Sequence, residues 1–148
     1  MSDKVIIANV RNYAKHPPIV ATKESSIKEI VNIMVKKNIG MIIIVDKNMN
    51  PVGVVTERDI VKSVAKEINM NEPVSKIMSS PVITIEADEP IWKVADIMKS
   101  YNIRHLVVMD KGKLYGVISI RDLVYEEMIL ENLALLKHAP PEAGKIET

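Results

Sequence analysis

Two short segments of the sequence combine glycine, hydroxyl, arginine and aspartate residues at the same spacing. The first is Gly-Val-Val-Thr-Glu-Arg-Asp, residues 53–59, and the second is Gly-Val-Ile-Ser-Ile-Arg-Asp, residues 116–122. The hydroxyl and arginine of such a segment can bind phosphate where a helix begins, and the carboxylate can accept hydrogen bonds from both hydroxyls of a ribose. The same residues can also act only as helix caps. Each segment therefore indicates either part of a nucleotide site or a duplicated cap.

The two segments lie in two copies of one longer unit. A shift of 64 residues aligns Pro17 with Pro81, and after a gap of one residue Asp59 aligns with Asp122. Between these pairs the matches keep their order through about fifty residues. Chance explains such an ordered series poorly, so the sequence predicts an internal duplication.

Both copies predict the same order of elements, β-α-β-β-α. A short apolar strand precedes a helix with apolar residues at i, i+3, i+4 and i+7, and two β-branched runs then form a hairpin before a closing helix. The predicted strands are residues 19–21, 41–45 and 52–56 in the first copy and 82–85, 106–109 and 114–119 in the second. A three-stranded sheet this small cannot bury its apolar face alone. The sequence therefore predicts a mixed α/β (α+β) fold in which two units pack sheet to sheet about a pseudo-twofold axis.

The duplication divides the chain into four predicted parts. These are a first repeat over residues 10–67, a linker over 68–80, a second repeat over 81–128 and a C-terminal helical extension with a tail over 129–148. Residues 128–136 are apolar on more than one side. A helix of that kind is normally buried on several sides, and a homodimer interface would provide that burial. The alternative is a tail that folds back across its own chain.

Composition argues against several classes of function. The chain of 148 residues has 20 Lys and Arg against 19 Asp and Glu, and its aromatic content is 3%, so it lacks a basic excess or stacking residues for nucleic acid. It contains no cysteine, and its longest purely apolar run, residues 41–45, is too short to span a membrane. The N-terminal residues lack the long apolar region of a signal peptide. We expect a soluble, cytoplasmic protein.

The sequence shows no arrangement typical of a metal or catalytic site. His16, His105 and His138 are scattered without ligand spacing. Paired carboxylates and a Ser-His-Asp set are also not evident. We therefore expect no metal, no required cofactor and no enzyme activity.

The repeated unit resembles the CBS (cystathionine beta-synthase) domain family. Each unit closes with Gly-h-h-(Thr/Ser)-x-x-Asp, where h is apolar, and the supporting motifs are Asn-Ile-Gly-Met-Ile-Ile-Ile-Val-Asp (38–46) and Asn-Ile-Arg-His-Leu-Val-Val-Met-Asp (102–110). The family often has proline where this chain has Val107, and the first copy also lacks that proline. Valine and isoleucine suit a strand, so the fold is not affected. The resemblance covers residues 10–128 and is to a stand-alone tandem pair, or Bateman module, of the prokaryotic and archaeal type.

The resemblance implies two binding clefts for adenosyl ligands such as AMP, ADP, ATP or S-adenosylmethionine. Aspartate would bind the ribose, the hydroxyl and arginine would lie at the phosphate, and the isoleucines would hold adenine. Site A would combine Thr56, Arg58 and Asp59 with Pro81, Ile83, Ile103, Arg104 and His105. Site B would combine Ser119, Arg121 and Asp122 with Pro17, Ile19, Ile39 and Gly40.

The two implied sites differ in charge. Arg104-His105 is similar, in reversed order, to the His-Arg phosphate clamp of gamma subunits of the AMP-activated kinase, whereas the first copy has Gly40-Met41 there. On this ground we expect phosphate to favour site A and a less charged adenosyl group to favour site B.

The family resemblance predicts a regulatory module whose effector is an adenosyl ligand and whose regulated protein is a separate chain. It also favours the homodimer, because modules of this family commonly pair through their helices. A different interpretation is a non-sensing interaction scaffold in which the CBS pair only mediates oligomerisation and the duplicated turns are only caps. Nucleotide-induced thermal stabilisation distinguishes the two, because a ligand at 100 times its Kd adds about 2.7 kcal/mol of stability.

Overall fold

The computed structural model describes residues 8–124 as two similar β-α-β-β-α units. Each unit contains a three-stranded sheet, with strand order β1-β2-β3 in the first and β4-β5-β6 in the second. The elements in chain order are α1 (Val10–Tyr13), β1 (Val20–Ala21), α2 (Ile27–Lys37), β2 (Met41–Val45), β3 (Pro51–Thr56), α3 (Glu57–Ala65), a 3-10 helix (Val74–Lys76), β4 (Thr84–Glu86), α4 (Trp92–Tyr101), β5 (His105–Asp110), β6 (Lys113–Ser119) and α5 (Ile120–Val124). The predicted class and repeat are confirmed.

Local sequence accounts for the bounds of α2. Its apolar stripe places Ile27, Ile30 and Met34 in the core, while Val35, on the other side, is 76% exposed. The Ser26 side chain accepts a hydrogen bond from the backbone N–H of Glu29 and so caps the first turn. The helix ends at Lys37 and is followed by the C-cap residue Asn38, whose φ of 53° is left-handed.

The first strand of each unit is shorter than the sequence predicts. Each is parallel to the central strand, and the central strand is antiparallel to the third. The predicted starts were residues 19 and 82, whereas β1 begins at Val20 and β4 at Thr84. Ile19 and Ile83 only accept one backbone hydrogen bond each from the central strand. The chain before them turns towards the other unit, which shortens the ladder.

The central strand of the first sheet is buried on both faces. Ile42 and Ile44 pack in a cluster with α2, whereas Ile43 packs on the opposite face with Val107 of the second sheet. A strand buried on both sides is expected to be apolar throughout, as Met41–Val45 is. The two units therefore pack sheet to sheet, as predicted.

Each unit receives part of its core from the segment that precedes the other unit in the chain. Val10 of α1 is fully buried in the second unit's cluster, and Val74 of the 3-10 helix is fully buried in the first unit's cluster. Arg11 strengthens the first of these attachments through ion pairs with Asp88 and Asp110, and its hydrogen bond to Asp110 lowers the pKa of that carboxyl. The packing therefore crosses the predicted boundaries of the repeats at 10–67 and 81–128. Val10 belongs to the first predicted repeat and Val74 to the predicted linker, yet each packs in the core of a different unit. The predicted apolar segment 128–136 lies outside the described residues.

Candidate functional site

The first motif forms a closed hydrogen-bond ring at the start of α3. The Asp59 Oδ2 atom accepts hydrogen bonds from the Thr56 backbone N–H, at 2.9 Å, and from the Thr56 hydroxyl, at 3.1 Å. The Asp59 N–H donates back to the Thr56 hydroxyl oxygen at 3.4 Å. This is a capping box, so the cap expected from the sequence is present.

The other oxygen of Asp59 is directed away from this ring. Asp59 Oδ1 accepts a hydrogen bond of 3.0 Å from the hydroxyl of Ser79, a residue just before the second unit. Capping and contact with the other unit thus use different oxygens of one carboxylate. A polar ligand group in the cleft can therefore bind Oδ1 while Oδ2 keeps the cap.

The second motif repeats this arrangement. Asp122 Oδ2 accepts hydrogen bonds from the Ser119 N–H at 2.8 Å and from the Ser119 hydroxyl at 2.9 Å. Asp122 Oδ1 lies 3.8 Å from the ammonium group of Lys15. Lys15 occupies the position equivalent to Ser79, because the two are separated by 64 residues, the repeat shift. Each aspartate therefore faces the lead-in segment of the opposite unit.

Backbone hydrogen bonds place those lead-in segments against the motif strands. Ser79 exchanges two hydrogen bonds with Val54 of β3, and Lys15 exchanges two with Val117 of β6. This exchange brings Pro81 near the motif of Asp59 and Pro17 near the motif of Asp122, as each proline follows its lead-in residue by two positions. The pairing of each proline with the opposite motif in a ligand site stays a prediction.

The motif glycines allow this close approach. A Cβ added to Gly53 would lie 3.3 Å from the Ser79 carbonyl oxygen and closer still to Met78, while one added to Gly116 would collide with the Lys15 carbonyl oxygen. Each motif therefore needs a glycine, because a larger residue would collide with the lead-in segment of the opposite unit.

The start of each central strand is joined to its own unit's motif. The Gly40 carbonyl accepts a hydrogen bond from the Glu57 N–H, and the Arg104 carbonyl accepts one from the Ile120 N–H. By backbone contact, Gly40 thus lies beside the site A motif and Arg104 beside the site B motif, the reverse of the grouping implied by the resemblance. This contact concerns the backbones alone, so the assignments of Gly40 to site B and of Arg104 to site A stay predictions.

His105 lies between the two motifs. It pairs with Ser119 across β5 and β6, yet its Nε2 atom would lie 3.1 Å from a Cβ placed on Gly40 of the first unit. Burial lowers the pKa of His105 below its ordinary value of 6.5. Glu57 and Asp122 raise this pKa, and Arg104 and Arg121 lower it, each by less than burial does. His105 therefore responds to charges of both motifs.

The remaining predicted residues are half-buried isoleucines and exposed arginines. Ile39 packs against the first unit's cluster, and Ile83 and Ile103 pack against the second unit's cluster. These three isoleucines and Ile19 are half-buried, so each keeps part of its apolar surface accessible. The side chains of Arg58, Arg104 and Arg121 are exposed. These residues therefore offer accessible apolar surface and exposed cationic groups.

Three residues beside the motifs were missed in the sequence: Lys15, Glu57 and Ser79. Lys15 and Ser79 align with each other two positions before Pro17 and Pro81, so extending the repeat alignment upstream would have identified both. Glu57 lies within the quoted motif, but only the structure shows that its carboxylate approaches Gly40.

A cavity of about 220 Å³ opens between α3 and the linker and is lined in part by Asp59 of the first motif. Its walls carry three lysines and one carboxylate, along with apolar groups. The lining residues are Asp59, Lys62, Ser63, Lys66, Ile68, Lys76 and Ile77.

Within residues 8–124, no three His, Cys, Asp or Glu side chains gather so as to hold a metal ion. In the same range, no helix has both the length and the apolarity needed to cross a bilayer.

Comparison with known proteins identifies the family. The CBS domain model matches residues 10–66 and 74–128. The chain belongs to the CBS domain family. A CBS domain protein from Pyrobaculum aerophilum, solved in complex with AMP, is 36% identical and superposes with a TM-score of 0.77. The match covers 86% of this chain and 99% of that one.

Two further relatives show how CBS pairs occur. The CBS domain pair of protein MJ0100, solved with 5′-methylthioadenosine and S-adenosyl-L-methionine, is 32% identical with a TM-score of 0.74, over 88% of this chain and 98% of that one. The L-aspartate semialdehyde sulfurtransferase of Methanocaldococcus jannaschii is 36% identical over 79% of this chain, which spans only 23% of that protein. A CBS pair can thus form a minor part of an enzyme.

Proposed function

We propose that this CBS pair is a regulatory module that binds adenosyl ligands between its two repeats. The observation that carries the proposal is the position of each motif aspartate. One of its carboxylate oxygens caps a helix, and the other faces the lead-in segment of the opposite repeat. Similar CBS pairs that contain AMP, 5′-methylthioadenosine and S-adenosyl-L-methionine support this ligand class.

In this proposal Asp59 and Asp122 bind the ribose at sites A and B. Oδ1 of each aspartate accepts the ribose hydroxyls in place of Ser79 or Lys15, while Thr56 or Ser119 holds Oδ2. Pro17, Ile19, Ile39 and Gly40 contribute to site B and Pro81, Ile83, Ile103 and Arg104 to site A, with Arg58, Arg121 and His105 near the ligand's 5′ group.

Calorimetric titration with AMP and with 5′-methylthioadenosine tests the ribose assignment. We expect Asp59→Ala and Asp122→Ala each to remove one site or weaken it about tenfold or more, because a charge-assisted hydrogen bond contributes roughly 1.5–3 kcal/mol. Ser26→Ala is the matched control, since it removes a helix cap of α2 outside the motifs. Wild-type affinity in both aspartate variants would contradict the assignment.

The scaffold alternative is favoured by one observation, the complete capping box in the first motif. A protein whose motifs only cap helices gains no stability from any adenosyl compound. Absence of a thermal shift with AMP, ATP, 5′-methylthioadenosine and S-adenosylmethionine would therefore select the scaffold.

We further propose that the module is a non-catalytic, cytoplasmic homodimer that acts on a separate protein chain. Pairing through helices would let an adenosyl ligand change the tilt between two modules, provided that it binds the two arrangements unequally. Light scattering at micromolar concentration tests the dimer, and a monomer of 16.6 kDa would refute it. If truncation after Glu127 leaves the dimer unchanged, residues 128–136 do not hold it together.

A further inference from the structure

The cavity between α3 and the linker is lined mainly by positive charge. Lys62 reaches it from α3, Lys66 from the residue that follows this helix, and Lys76 from the 3-10 helix. Asp59 supplies the carboxylate among these lining residues. Both oxygens of that carboxylate already accept hydrogen bonds from protein groups. The lining therefore presents an excess of ammonium groups to the cavity.

Two of the three lysines are not neutralised by a carboxylate. Lys76 forms an ion pair of 3.1 Å with Glu72. Lys62 and Lys66, by contrast, form no ion pair with any residue in the range 8–124. They are four positions apart, a spacing at which like charges repel each other and slightly destabilise a helix. An anion in the cavity would relieve this repulsion.

The stability of α3 accounts for only part of this arrangement. A lysine near the C-terminal end of a helix interacts favourably with the helix dipole, which covers Lys62 and Lys66. It does not explain why Lys76 approaches the same cavity from the linker. Cations from two elements around one concave surface suit phosphate groups, which carry up to two charges each and several acceptor oxygens. The volume of about 220 Å³, equal to about seven water molecules, admits such groups.

The cavity adjoins the proposed ribose site. Asp59 lines the cavity and also belongs to the first motif, where its Oδ1 atom faces Ser79. Along the axis of α3, Lys62 lies about 4.5 Å and Lys66 about 10.5 Å beyond Asp59. The lysines thus follow a line that a chain of phosphates can occupy, whereas a single 5′ phosphate reaches only its beginning.

The second copy has no lysine at the equivalent positions. The repeat alignment places Tyr125, Ile129 and Asn12 at the positions of the three lysines. Tyr125 and Ile129 lie outside the described residues, so this comparison concerns the sequence alone. Lys15, the lysine near the second motif, pairs with Asp122 itself. The set of three lysines therefore distinguishes the first copy from the second.

We propose that this cavity is a polyphosphate site in which Lys62, Lys66 and Lys76 bind the phosphate oxygens. The polyphosphate is either the tail of ADP or ATP whose ribose is held by Asp59, or a free inorganic chain. The nucleotide form rests on the proposed function and deepens it, because it makes site A the site for nucleoside di- and triphosphates. The free form does not depend on the proposed function.

Coulomb attraction sets the size of the expected effect. At about 4 Å in a water-like dielectric, the attraction between one ammonium group and a phosphate with nearly two charges corresponds to roughly tenfold in affinity. Removal of both Lys62 and Lys66 should therefore weaken polyphosphate binding at least tenfold at low ionic strength. Added salt should reduce the difference.

Calorimetric titration with tripolyphosphate, ATP and AMP, without divalent cations, tests the proposal. In the double variant Lys62→Gln, Lys66→Gln we expect at least a tenfold loss of tripolyphosphate affinity for the free form. For the nucleotide form we expect the same loss in the ratio of ATP to AMP affinity, measured with Asp122→Ala so that only site A binds. Lys36→Gln with Lys37→Gln is the matched control, because these lysines are also exposed and lie in the last turn of α2.

The substitution Asp59→Ala identifies the source of the polyphosphate. If the chain belongs to a nucleotide, loss of the ribose contact lowers ATP affinity about tenfold or more. If the chain is free, tripolyphosphate affinity stays the same or rises, because a negative charge has left the cavity wall.

The outcomes separate this inference from the proposed function. If the protein binds tripolyphosphate with the expected lysine dependence but binds no adenosyl compound, the proposed function fails and the free form stands. If the lysine substitutions change neither the tripolyphosphate affinity nor the ratio of ATP to AMP affinity, the polyphosphate site is refuted, whether or not AMP binds. An equal loss in the Lys36→Gln, Lys37→Gln control would also refute it, by assigning the effect to net charge.

Discussion

At the scale of single residues, His105 is a titratable group that lies where the two repeats meet. Its position near Gly40 buries the ring, and this burial lowers its pKa below 6.5. The charged groups that act on it are Glu57, Asp122, Arg104 and Arg121. Because burial dominates, the folded protein holds this imidazole in its neutral form more firmly than the unfolded chain does.

This difference predicts a pH dependence of stability. As the pH falls below about 6.5, the unfolded chain takes up a proton that folded His105 still excludes, so stability is lost down to the lowered folded pKa. The contribution is fully present above pH 6.5. We expect His105→Gln to lose less stability than wild type between pH 8 and pH 5, as measured by urea unfolding. Parallel pH profiles for the two proteins would contradict the prediction.

At the scale of elements, short segments complete the core of the opposite unit. The four-residue helix α1 is too short to be stable by itself, so its position depends on tertiary packing. Val10 packs among the second unit's core residues, and Arg11 bridges to Asp88 and Asp110 of that unit. The α1 helix therefore belongs to the second unit in space and precedes the first in sequence.

This placement predicts an unequal pair of valine substitutions. Val10→Ala should lower the free energy of unfolding by about 2 kcal/mol, since it removes fully buried methyl groups and leaves a cavity. Val35→Ala, at a site that is 76% exposed, should change it by less than about 0.5 kcal/mol. Urea unfolding measures both, and equal effects would show that α1 does not support the core.

At the scale of the whole molecule, the exchange of segments joins the two units into one cooperative structure. The first unit's cluster contains Val74 from the linker, the second contains Val10, and a third cluster lies between the sheets. Damage to one unit should therefore weaken the other.

Native-state hydrogen exchange tests this cooperativity. Ile44 and Val108 are equivalent residues at the centres of the two sheets, 64 positions apart. We expect Val74→Ala to lower the protection of both amides by a similar amount, about 2 kcal/mol, although Val74 packs only in the first unit's cluster. Loss of protection at Ile44 alone would show that the units open independently.

The sequence by itself determined the repeat, the element order and the motifs. Periodicity reports which residues of a segment share a buried face, so Met41–Val45 was predicted with the bounds that β2 has. Proline, glycine and capping residues mark local turns, and the aligned Thr56 and Ser119 lie at the starts of α3 and α5 as expected. These features depend on interactions within a few residues of the chain.

Only the tertiary structure decided which segments meet across the repeats. The pairing of Lys15 with Val117 joins residues 102 positions apart, and local patterns carry no information about such contacts. The direction of Asp59 Oδ1 towards Ser79 and the convergence of Glu57 and His105 beside Gly40 likewise depend on how two complete sheets pack. The charge that each cleft presents to a ligand is a property of that packing, because it sums groups from distant parts of the chain.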